Sequence, residues 1–310
     1  MKKIRRDLRL NECFLYAIDS PADLAWRLSS KAMKLDAKDI DFLVRGSANY
    51  KFFKIKDRPI QEPKARLQAV HLRVHRLLSR VAVPAYLHSA VKGKSYLSNA
   101  LAHDASQPLI KVDIKKFFAS VPEDAVVRFL RSDCKCRSDV ARLFASMLVC
   151  NGKIATGSSA SPILAYYAFK SMFDQIATLA GEHGLTFTCY VDDMTLSGPT
   201  ATNAMVIKVR AIIAKFGLKS HKVRRFNASS PKVVTGVCIM PDGIRVPQKL
   251  HLAISRNFQE RSTETDTKKR EKITASLQGR LDAAGRIDAK FKSRADTFRA
   301  STKKAQPSVP

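Results

Sequence analysis

TFTCYVDDMTLSG, residues 186–198, is the stretch that decides the fold. Two runs rich in apolar and β-branched side chains flank a short acidic turn, which predicts a β-hairpin with Asp192 and Asp193 at its tip. An isolated pair of aspartates is most often a polar turn. Here Tyr190 and Val191 precede the pair and both flanking strands are apolar, so we predict that the carboxylates belong to a functional site.

A third carboxylate completes the predicted site. Residues 109–114, LIKVDI, have the pattern of a short buried strand that carries Asp113 near its end. Carboxylates from separate strands resist joint ionisation unless a cation lies between them. Mg²⁺ prefers carboxylate oxygens and substrate phosphates, and two such ions about 3.5–4 Å apart stabilise both ends of an in-line displacement at phosphorus. We therefore favour metal-dependent nucleotide transfer over a polar turn and an unrelated surface carboxylate.

The charge of the chain indicates a polyanionic partner. Among 310 residues, 55 are Lys or Arg and 27 are Asp or Glu, which gives a formal net charge of +28. No apolar run approaches the roughly 18 residues of a membrane-spanning helix, and no uninterrupted apolar stretch follows the basic N-terminus as in a signal peptide. Nucleic acid is therefore favoured over an anionic membrane. The six cysteines form no CxxC pair, which fits a reducing cytoplasm.

Apolar periodicity predicts the other elements. Residues 65–78 have helical spacing, Ser161-Pro162 opens a long apolar helix, and residues 203–216 are again helical. A second hairpin is predicted around the turn at residues 241–243. Residues 255–304 hold 14 Lys or Arg against 7 Asp or Glu, and they predict two short helices with one apolar seam and basic outer faces.

Two aromatic residues follow the first aspartate. Phe117 and Phe118 could both fill the core. A bulky ring beside the sugar of an incoming nucleotide would instead clash with a 2′-hydroxyl, so that deoxynucleotides enter and ribonucleotides are rejected. We expect one ring to lie in the core, and Phe118 is the candidate for the sugar gate.

Three short motifs resemble those of a known family. Residues 190–193 resemble the YxDD box of reverse transcriptases, and residues 111–118, KVDIKKFF, resemble their first-aspartate motif with its aromatic gate. Residues 156–162, TGSSASP, resemble the Gly-x-x-x-Ser-Pro motif that lines the template and the nucleotide. The order and spacing of the motifs agree across most of the chain, residues 50–290.

Two further motifs narrow the resemblance to bacterial retron reverse transcriptases. Asn99–His103, NALAH, is similar to their NAxxH element, and Val234–Gly236 is similar to their VTG element. The alternatives within the class are group II intron-like and diversity-generating reverse transcriptases, against which these two elements weigh. The alternative from another class is a non-catalytic RNA-binding protein that retains the polymerase fold, but all three carboxylates are present.

The resemblance implies an α+β fold of the right-hand polymerase type. Its parts are fingers, a palm of antiparallel sheet flanked by helices, and a helical thumb. The implied bounds are residues 1–105 for the N-terminal helices and fingers, 106–245 for the palm with 125–155 returning to the fingers, 246–305 for the basic thumb, and 306–310 for a disordered tail.

The resemblance also implies roles for single residues. Asp113, Asp192 and Asp193 would bind two Mg²⁺ ions, with Mn²⁺ as a substitute and with help from the Ile114 carbonyl. The implied nucleotide-binding residues are Arg58, Arg66, Phe118, Gly157, Ser161, Pro162 and Lys222. The implied RNA-binding residues are Asn99, His103, Thr235, Gly236, Lys268, Lys269, Arg270, Lys272 and Arg280. For the side chains of Asn99 and His103, local hydrogen bonding is favoured over catalysis.

The implied partners follow from the retron resemblance. Such an enzyme copies part of its own structured noncoding RNA (msr-msd) from dNTPs, starting at a 2′-hydroxyl of that RNA. The product is single-stranded DNA (msDNA) that stays attached to the RNA. The resemblance further implies a role in defence against phage, together with a separately encoded effector protein.

Overall fold

Helices and short strands alternate along the chain. The computed structural model describes residues 7–304, so the predicted tail at 306–310 lies outside the described residues. The strands are β1 Tyr50–Ile55, β2 Arg58–Pro63, β3 Leu109–Ile114, β4 Val149–Cys150, β5 Lys153–Ile154, β6 Thr186–Tyr190, β7 Asp193–Ser197, β8 Ser220–Phe226, β9 Lys232–Val234, β10 Val237–Met240 and β11 Gly243–Arg245. The helices are α1 Pro21–Leu28, α2 Ala37–Leu43, α3 Ala65–Leu78, α4 Tyr96–Leu101, α5 Phe117–Ser120, α6 Glu123–Arg128, α7 Ser138–Leu148, α8 Ser161–Ala168, α9 Lys170–Glu182, α10 Asn203–Lys215, α11 Gln248–Thr263, α12 Thr267–Gly285 and α13 Ala289–Lys304. The predicted α+β class is confirmed.

Between residues 7 and 304, no helix is both long enough and apolar enough to cross a bilayer.

The central sheet has four antiparallel strands in the order β6-β7-β3-β8. β6 and β7 form the predicted acidic hairpin, and β3 is the predicted strand of the first aspartate. β8 pairs with the other edge of β3, and the register shifts between Lys111 and Asp113. Lys222 lies at this bulge with a φ of 50°, a left-handed conformation that allows β8 to carry an extra residue.

The two faces of the sheet differ in chemistry. Ile110, Val112 and Ile114 of β3 are buried in the main hydrophobic core, whereas Lys111 and Asp113 are half-buried on the opposite face. Successive side chains of a strand point to opposite faces, so the alternation in the sequence decides which residues reach the core. The acidic side chain is therefore presented on a face that the main core does not cover.

The long helix predicted from Ser161 is interrupted. α8 ends and α9 begins at Phe169, whose φ of −123° and ψ of 20° are not helical. The Phe169 ring is buried and lies against the ring of Phe117, with the centroids 6.1 Å apart. Core packing at this residue takes precedence over the helical continuity that its neighbours favour.

Between Val246 and Lys304 the chain forms three helices: the predicted pair corresponds to α12 and α13, and α11, which begins at Gln248, was not predicted. The carboxylate of Asp266 accepts a hydrogen bond from the Lys269 N–H (3.1 Å) and caps α12 at its N-terminus, which separates α12 from α11. α11, α12 and α13 bury a hydrophobic cluster of their own, which includes Ile254 and Leu281. That separate core supports the predicted thumb boundary at residue 246, which stays a prediction.

Candidate active site

The three predicted carboxylates meet at the end of the central sheet. Asp113 in β3 is paired with Asp193 in β7, and the Ile114 N–H donates to the Asp192 carbonyl (3.2 Å). Partner residues of an antiparallel pair have Cβ atoms about 5 Å apart on the same face. Strand pairing therefore assembles the site from residues that are distant in the sequence.

The carboxylates share a poorly hydrated environment. Burial, followed by the neighbouring Asp113 carboxylate, raises the pKa of Asp192 to about 6. Burial also raises the pKa of Asp193, against the opposing influence of the Lys111 ammonium. Like charges in such a site repel each other, so a bound cation would lower its free energy.

Two basic side chains lie against the carboxylates. Lys111 Nζ lies 2.8 Å from Asp193 Oδ2, and His221 Nδ1 lies 3.0 Å from Asp113 Oδ1 without the alignment of a hydrogen bond. The sequence interpretation missed both partners. For Lys111 the signal was its position two residues before Asp113, on the same face of β3. For His221 no local signal existed, because only the pairing of β8 brings it to the site.

The donor set fits a divalent cation. Within residues 7–304, no group of three or more His, Cys, Asp or Glu side chains is already arranged to hold a metal ion. Asp113 Oδ1 and Asp193 Oδ1 are nevertheless buried without a hydrogen-bond partner among the described residues. A buried acceptor left without a donor is costly, and hard divalent ions prefer carboxylate oxygens. A metal ion would satisfy both oxygens.

The turn of the acidic hairpin is held from outside the sheet. Val191 has a φ of 61°, a left-handed conformation that β-branched residues rarely adopt. Its N–H donates to Ser89 Oγ (2.9 Å), and the His88 N–H donates to the Cys189 carbonyl (2.9 Å). The segment at residues 88–89 therefore supports the strained turn that presents Asp192.

A family model matches the chain across this site. It is described as reverse transcriptase (RNA-dependent DNA polymerase) and matches residues 54–235. The chain belongs to the reverse transcriptase family. The matched range includes all three carboxylates, and the family membership predicted from the motifs is confirmed.

Curated relatives of the chain are retron reverse transcriptases. The Retron Se72 reverse transcriptase of Salmonella heidelberg is 27% identical over 176 residues, which cover 54% of this chain and 46% of that protein. The Retron Mx65 reverse transcriptase of Myxococcus xanthus is 27% identical over 206 residues, which cover 59% and 48%. The Retron Ec86 reverse transcriptase of Escherichia coli is 26% identical over 244 residues, which cover 73% and 74%. The chain spans about half the length of the first two relatives, and the predicted resemblance to retron enzymes is confirmed.

Solved structures similar to the chain include a viral and a fungal protein. The foamy viral protease-reverse transcriptase in complex with double-stranded DNA has a TM-score of 0.45 and 14% identity, and the match covers 97% of this chain and 46% of that one. Apo telomerase from Candida tropicalis has a TM-score of 0.44 and 12% identity, and the match covers 65% and 55%.

The two phenylalanines of this reverse transcriptase family member have different environments. Phe117 is buried in the main core, where its ring also meets Phe173 edge-on. Phe118 packs against that core with one side and is only half-buried. Phe117 thus lies in the core as expected for one of the two rings, and Phe118 is only partly covered by the core. Its role as a sugar gate stays a prediction.

The cationic residues predicted for the nucleotide pocket are exposed but not equivalent. Arg58 begins β2 at the tip of the β1–β2 hairpin, and Lys222 lies in the bulge of β8, next to the strand of the first aspartate. Arg66 forms an ion pair with Asp39 at the start of α2. The structure therefore leaves Arg58 and Lys222 available and engages Arg66 elsewhere.

The Gly-x-x-x-Ser-Pro residues form a tight loop before α8. The Ser161 hydroxyl is buried and donates to the Ala155 carbonyl, and Pro162 lies in the first turn of α8. Gly157 lies against the backbone of β2. The Ser161 hydrogen bond thus stabilises the loop. That this loop shapes the nucleotide pocket stays a prediction.

The NAxxH and VTG elements contact each other. The Asn99 side-chain amide lies 3.5 Å from Thr235 Oγ1, and the Thr235 hydroxyl donates to the Tyr96 carbonyl (2.7 Å). Asn99 is fully buried and His103 nearly so, which does not fit direct contact with RNA by these two side chains. Thr235 and Gly236 form the left-handed turn between β9 and β10. The hydrogen-bonding role that the sequence favoured for Asn99 and His103 agrees with this geometry. The contact of Asn99 with Thr235 supports the turn between β9 and β10.

The stability of the folded chain is expected to fall in mild acid because of its buried histidines. His103 lies between the hydroxyls of Ser197 and Thr188 (both 2.7 Å), and burial lowers its pKa to about 4. His71 is likewise buried, with its pKa lowered to about 4. Between pH 6.5 and 4 the unfolded chain therefore binds more protons than the folded chain, and stability decreases as the pH falls. Each histidine accounts for at most ~3 kcal/mol.

Chemical unfolding at pH 7 and pH 5 measures this effect. The variant His103→Gln is expected to have a shallower pH dependence of the unfolding free energy than the wild type. Thr200→Val, which removes a hydroxyl that donates to the His183 carbonyl at the surface, is the control and should retain the full dependence. Equal pH dependence in His103→Gln and the wild type would contradict the burial of a neutral imidazole.

Proposed function

We propose that the chain is an RNA-directed DNA polymerase of the retron type. It would copy part of its own structured noncoding RNA (msr-msd) into single-stranded DNA (msDNA), starting from a 2′-hydroxyl of that RNA. The observation that carries the proposal is the pairing of Asp113 with Asp193, beside Asp192, in a member of the reverse transcriptase family. Three half-buried carboxylates at one end of the sheet suit metal-dependent chemistry on phosphate.

The residues of the chain would divide the work as follows. Asp113, Asp192 and Asp193, with the Ile114 carbonyl, would hold two divalent ions, Mg²⁺ or in its place Mn²⁺. When bound, these ions would supply the positive charge that stabilises the attacking oxygen and the leaving pyrophosphate. In the metal-free protein, Lys111 and His221 lie against the carboxylates. The two basic side chains would be displaced when the ions bind.

Binding and selection of the nucleotide would fall to other side chains. Arg58 would hold the triphosphate, because a guanidinium matches phosphate oxygens with two parallel hydrogen bonds. Phe118 would exclude a 2′-hydroxyl. Lys222, which is exposed in the bulge beside β3, would donate a proton to the leaving pyrophosphate. Arg66 would have to leave Asp39 before it could take part.

DNA synthesis by the purified chain tests the proposal. An RNA template with an annealed DNA primer, dNTPs and Mg²⁺ should give a product of template length, and chelation of the metal should stop its formation. With the cognate RNA and no primer, the product should stay linked to RNA through an alkali-stable 2′ bond. A chain that binds RNA but incorporates no dNTP under either condition would instead be a non-catalytic RNA-binding protein.

RNA binding is assigned to the basic start of α12. Lys268, Lys269, Arg270 and Lys272 are exposed, whereas Arg280 donates from its guanidinium to the Ala253 carbonyl and to the Asn257 side chain on α11. Arg280 therefore holds two thumb helices together, and the four exposed cations are the ones available to phosphates. The thumb helices would bind the RNA stem through these four side chains. A separately encoded effector protein would act with the enzyme in defence against phage.

The salt dependence of RNA binding measures this grip. Replacing the four cations with glutamine is expected to lower the slope of log K against log salt by about 0.7–0.9 for each phosphate that the protein no longer neutralises. The control removes an equal charge from the N-terminal region, by replacing four exposed cations, Lys31, Lys34, Lys38 and Arg45. If both variants change the slope equally, α12 is not the specific RNA grip.

A further inference from the structure

The β1–β2 hairpin projects away from the core. Tyr50 and Pro63 are buried at its base, while the rest of β1 is exposed and Arg58 stands at the tip. A two-stranded hairpin is marginally stable by itself. The direction in which this one points therefore depends on contacts made along its length.

Gln61 and Thr156 hydrogen-bond to each other at several atoms along β2. The Gln61 N–H donates to Thr156 Oγ1 (3.2 Å), and the Thr156 N–H donates to Gln61 Oε1 (3.2 Å). The Thr156 hydroxyl can in turn donate its proton to the Pro59 carbonyl (3.1 Å) or to Gln61 Oε1 (3.2 Å). The Gly157 N–H donates to the Gln61 carbonyl (2.9 Å). The loop before α8 thus engages both the backbone and the side chain of Gln61.

Gly157 allows the close approach of the two segments. A Cβ atom at this position would lie 2.8 Å from the Gln61 carbonyl oxygen and 3.0 Å from Ile60 Cγ2. No other residue leaves enough room there without moving the backbone of β2. The absence of a side chain at Gly157 therefore allows the β1–β2 hairpin to dock on the loop. The motif resemblance did not indicate this role.

The loop is itself fixed to the core on its inner side. The Ser158 hydroxyl contacts Nδ1 of the buried His71, and His71 Nε2 donates to the Met147 carbonyl (2.8 Å). The Ser161 hydroxyl donates to the Ala155 carbonyl. These bonds restrain the loop relative to the core. The hydrogen bonds from the loop to Gln61 therefore fix the hairpin relative to the core as well.

We propose that Gln61 and Thr156 form a latch that positions Arg58 for the triphosphate of the incoming dNTP. The inference rests on the proposed function and adds two residues to it. Arg58 lies three residues before Gln61 along β2, a distance of about 10 Å in an extended strand. A small change of angle at Gln61 therefore moves the guanidinium by ångströms. Gln61 and Thr156 are positioning residues that act through Arg58.

Substitution of Thr156 tests the latch. Thr156→Val keeps the shape of the side chain and removes the hydroxyl from its hydrogen bonds. We expect KM for dNTPs to rise about tenfold, since a lost hydrogen bond typically changes an equilibrium by this order. The kcat value and the affinity for RNA should stay near those of the wild type. Thr156→Ser retains the hydroxyl and should restore the wild-type KM, and Gln61→Ala should act in the same direction as Thr156→Val.

A matched control separates the latch from general loss of a hydroxyl. The Thr200 hydroxyl donates to the His183 carbonyl (2.7 Å) at a different surface. Thr200→Val removes a bond of the same kind and is expected to leave KM for dNTPs unchanged. If it raised KM as much as Thr156→Val does, the latch would be overturned.

Trypsin cleavage of the hairpin reports on the latch without catalysis. Lys54 and Lys56 are exposed near the tip, and cleavage after them should be faster in Thr156→Val than in the wild type. Unchanged cleavage, or an active Thr156→Val enzyme with unchanged KM, overturns the latch. Faster cleavage in a chain whose wild type makes no DNA would support hairpin docking by the latch while refuting the proposed function.

Discussion

Replacing Asp192 with asparagine is expected to reduce DNA synthesis about a thousandfold or more, while the protein folds as well as the wild type or better. Asparagine keeps the size of the side chain but removes a charge that the metal ions need, and charge stabilisation of this kind is worth several kcal/mol of the barrier. The same charge is partly buried and repelled by Asp113 in the metal-free protein. Its removal should therefore preserve or raise the free energy of unfolding measured in a chelator.

The control for this prediction is an aspartate outside the site. Asp139 is exposed in the first turn of α7 and pairs with Arg137. Asp139→Asn should leave DNA synthesis at the wild-type level. Wild-type activity in Asp192→Asn would refute the metal assignment, and a loss of both activity and stability would indicate a structural rather than a catalytic defect.

Replacing Phe118 with alanine is expected to lower the preference for dNTPs over rNTPs by about 10- to 200-fold, the range that small steric differences in a pocket typically provide. The ring is half-buried and has one side free of the core. Without the ring, a 2′-hydroxyl would no longer meet a steric barrier. The measurement is the ratio of kcat/KM for dCTP and CTP on one RNA template.

The adjacent phenylalanine provides the control. Phe117 lies in the core, stacked beside Phe118 with the ring centroids 6.1 Å apart. Phe117→Leu should cost less than about 1.5 kcal/mol of stability because the volume is nearly conserved, and it should leave the sugar preference unchanged. If Phe117→Leu relaxed the preference and Phe118→Ala did not, the two roles would have to be exchanged.

Much of the site was predictable because its signals are local. The acidic hairpin follows from two apolar runs around a short turn, and β3 follows from its alternation, so Asp113, Asp192 and Asp193 could be chosen before any fold was known. The helices at residues 65–78 and 203–215 follow from apolar spacing in the same way. These patterns depend on neighbours a few residues apart, which the chain order itself provides.

Errors arose where packing outweighed a local pattern. The helix from Ser161 breaks at Phe169 because that ring is buried against Phe117. The NAxxH side chains were expected to reach RNA, yet Asn99 is buried beside Thr235, a partner that no spacing rule could indicate. Helix α11 was missed for a different reason, since the prediction began at residue 255, inside this helix, although Pro247 marks its N-terminal boundary in the sequence.

By itself the sequence indicated the three carboxylates of the candidate site, an aromatic gate candidate, a basic helical region at residues 255–304 and the family to which the chain belongs. Only the tertiary structure decided which side chains meet, namely Lys111 with Asp193, His221 with Asp113 and Gln61 with Thr156. The physical reason is that periodicity places a side chain on a face of its own element. The partner that face meets depends on how distant elements pack, because hydrogen bonds and ion pairs require contact within a few ångströms.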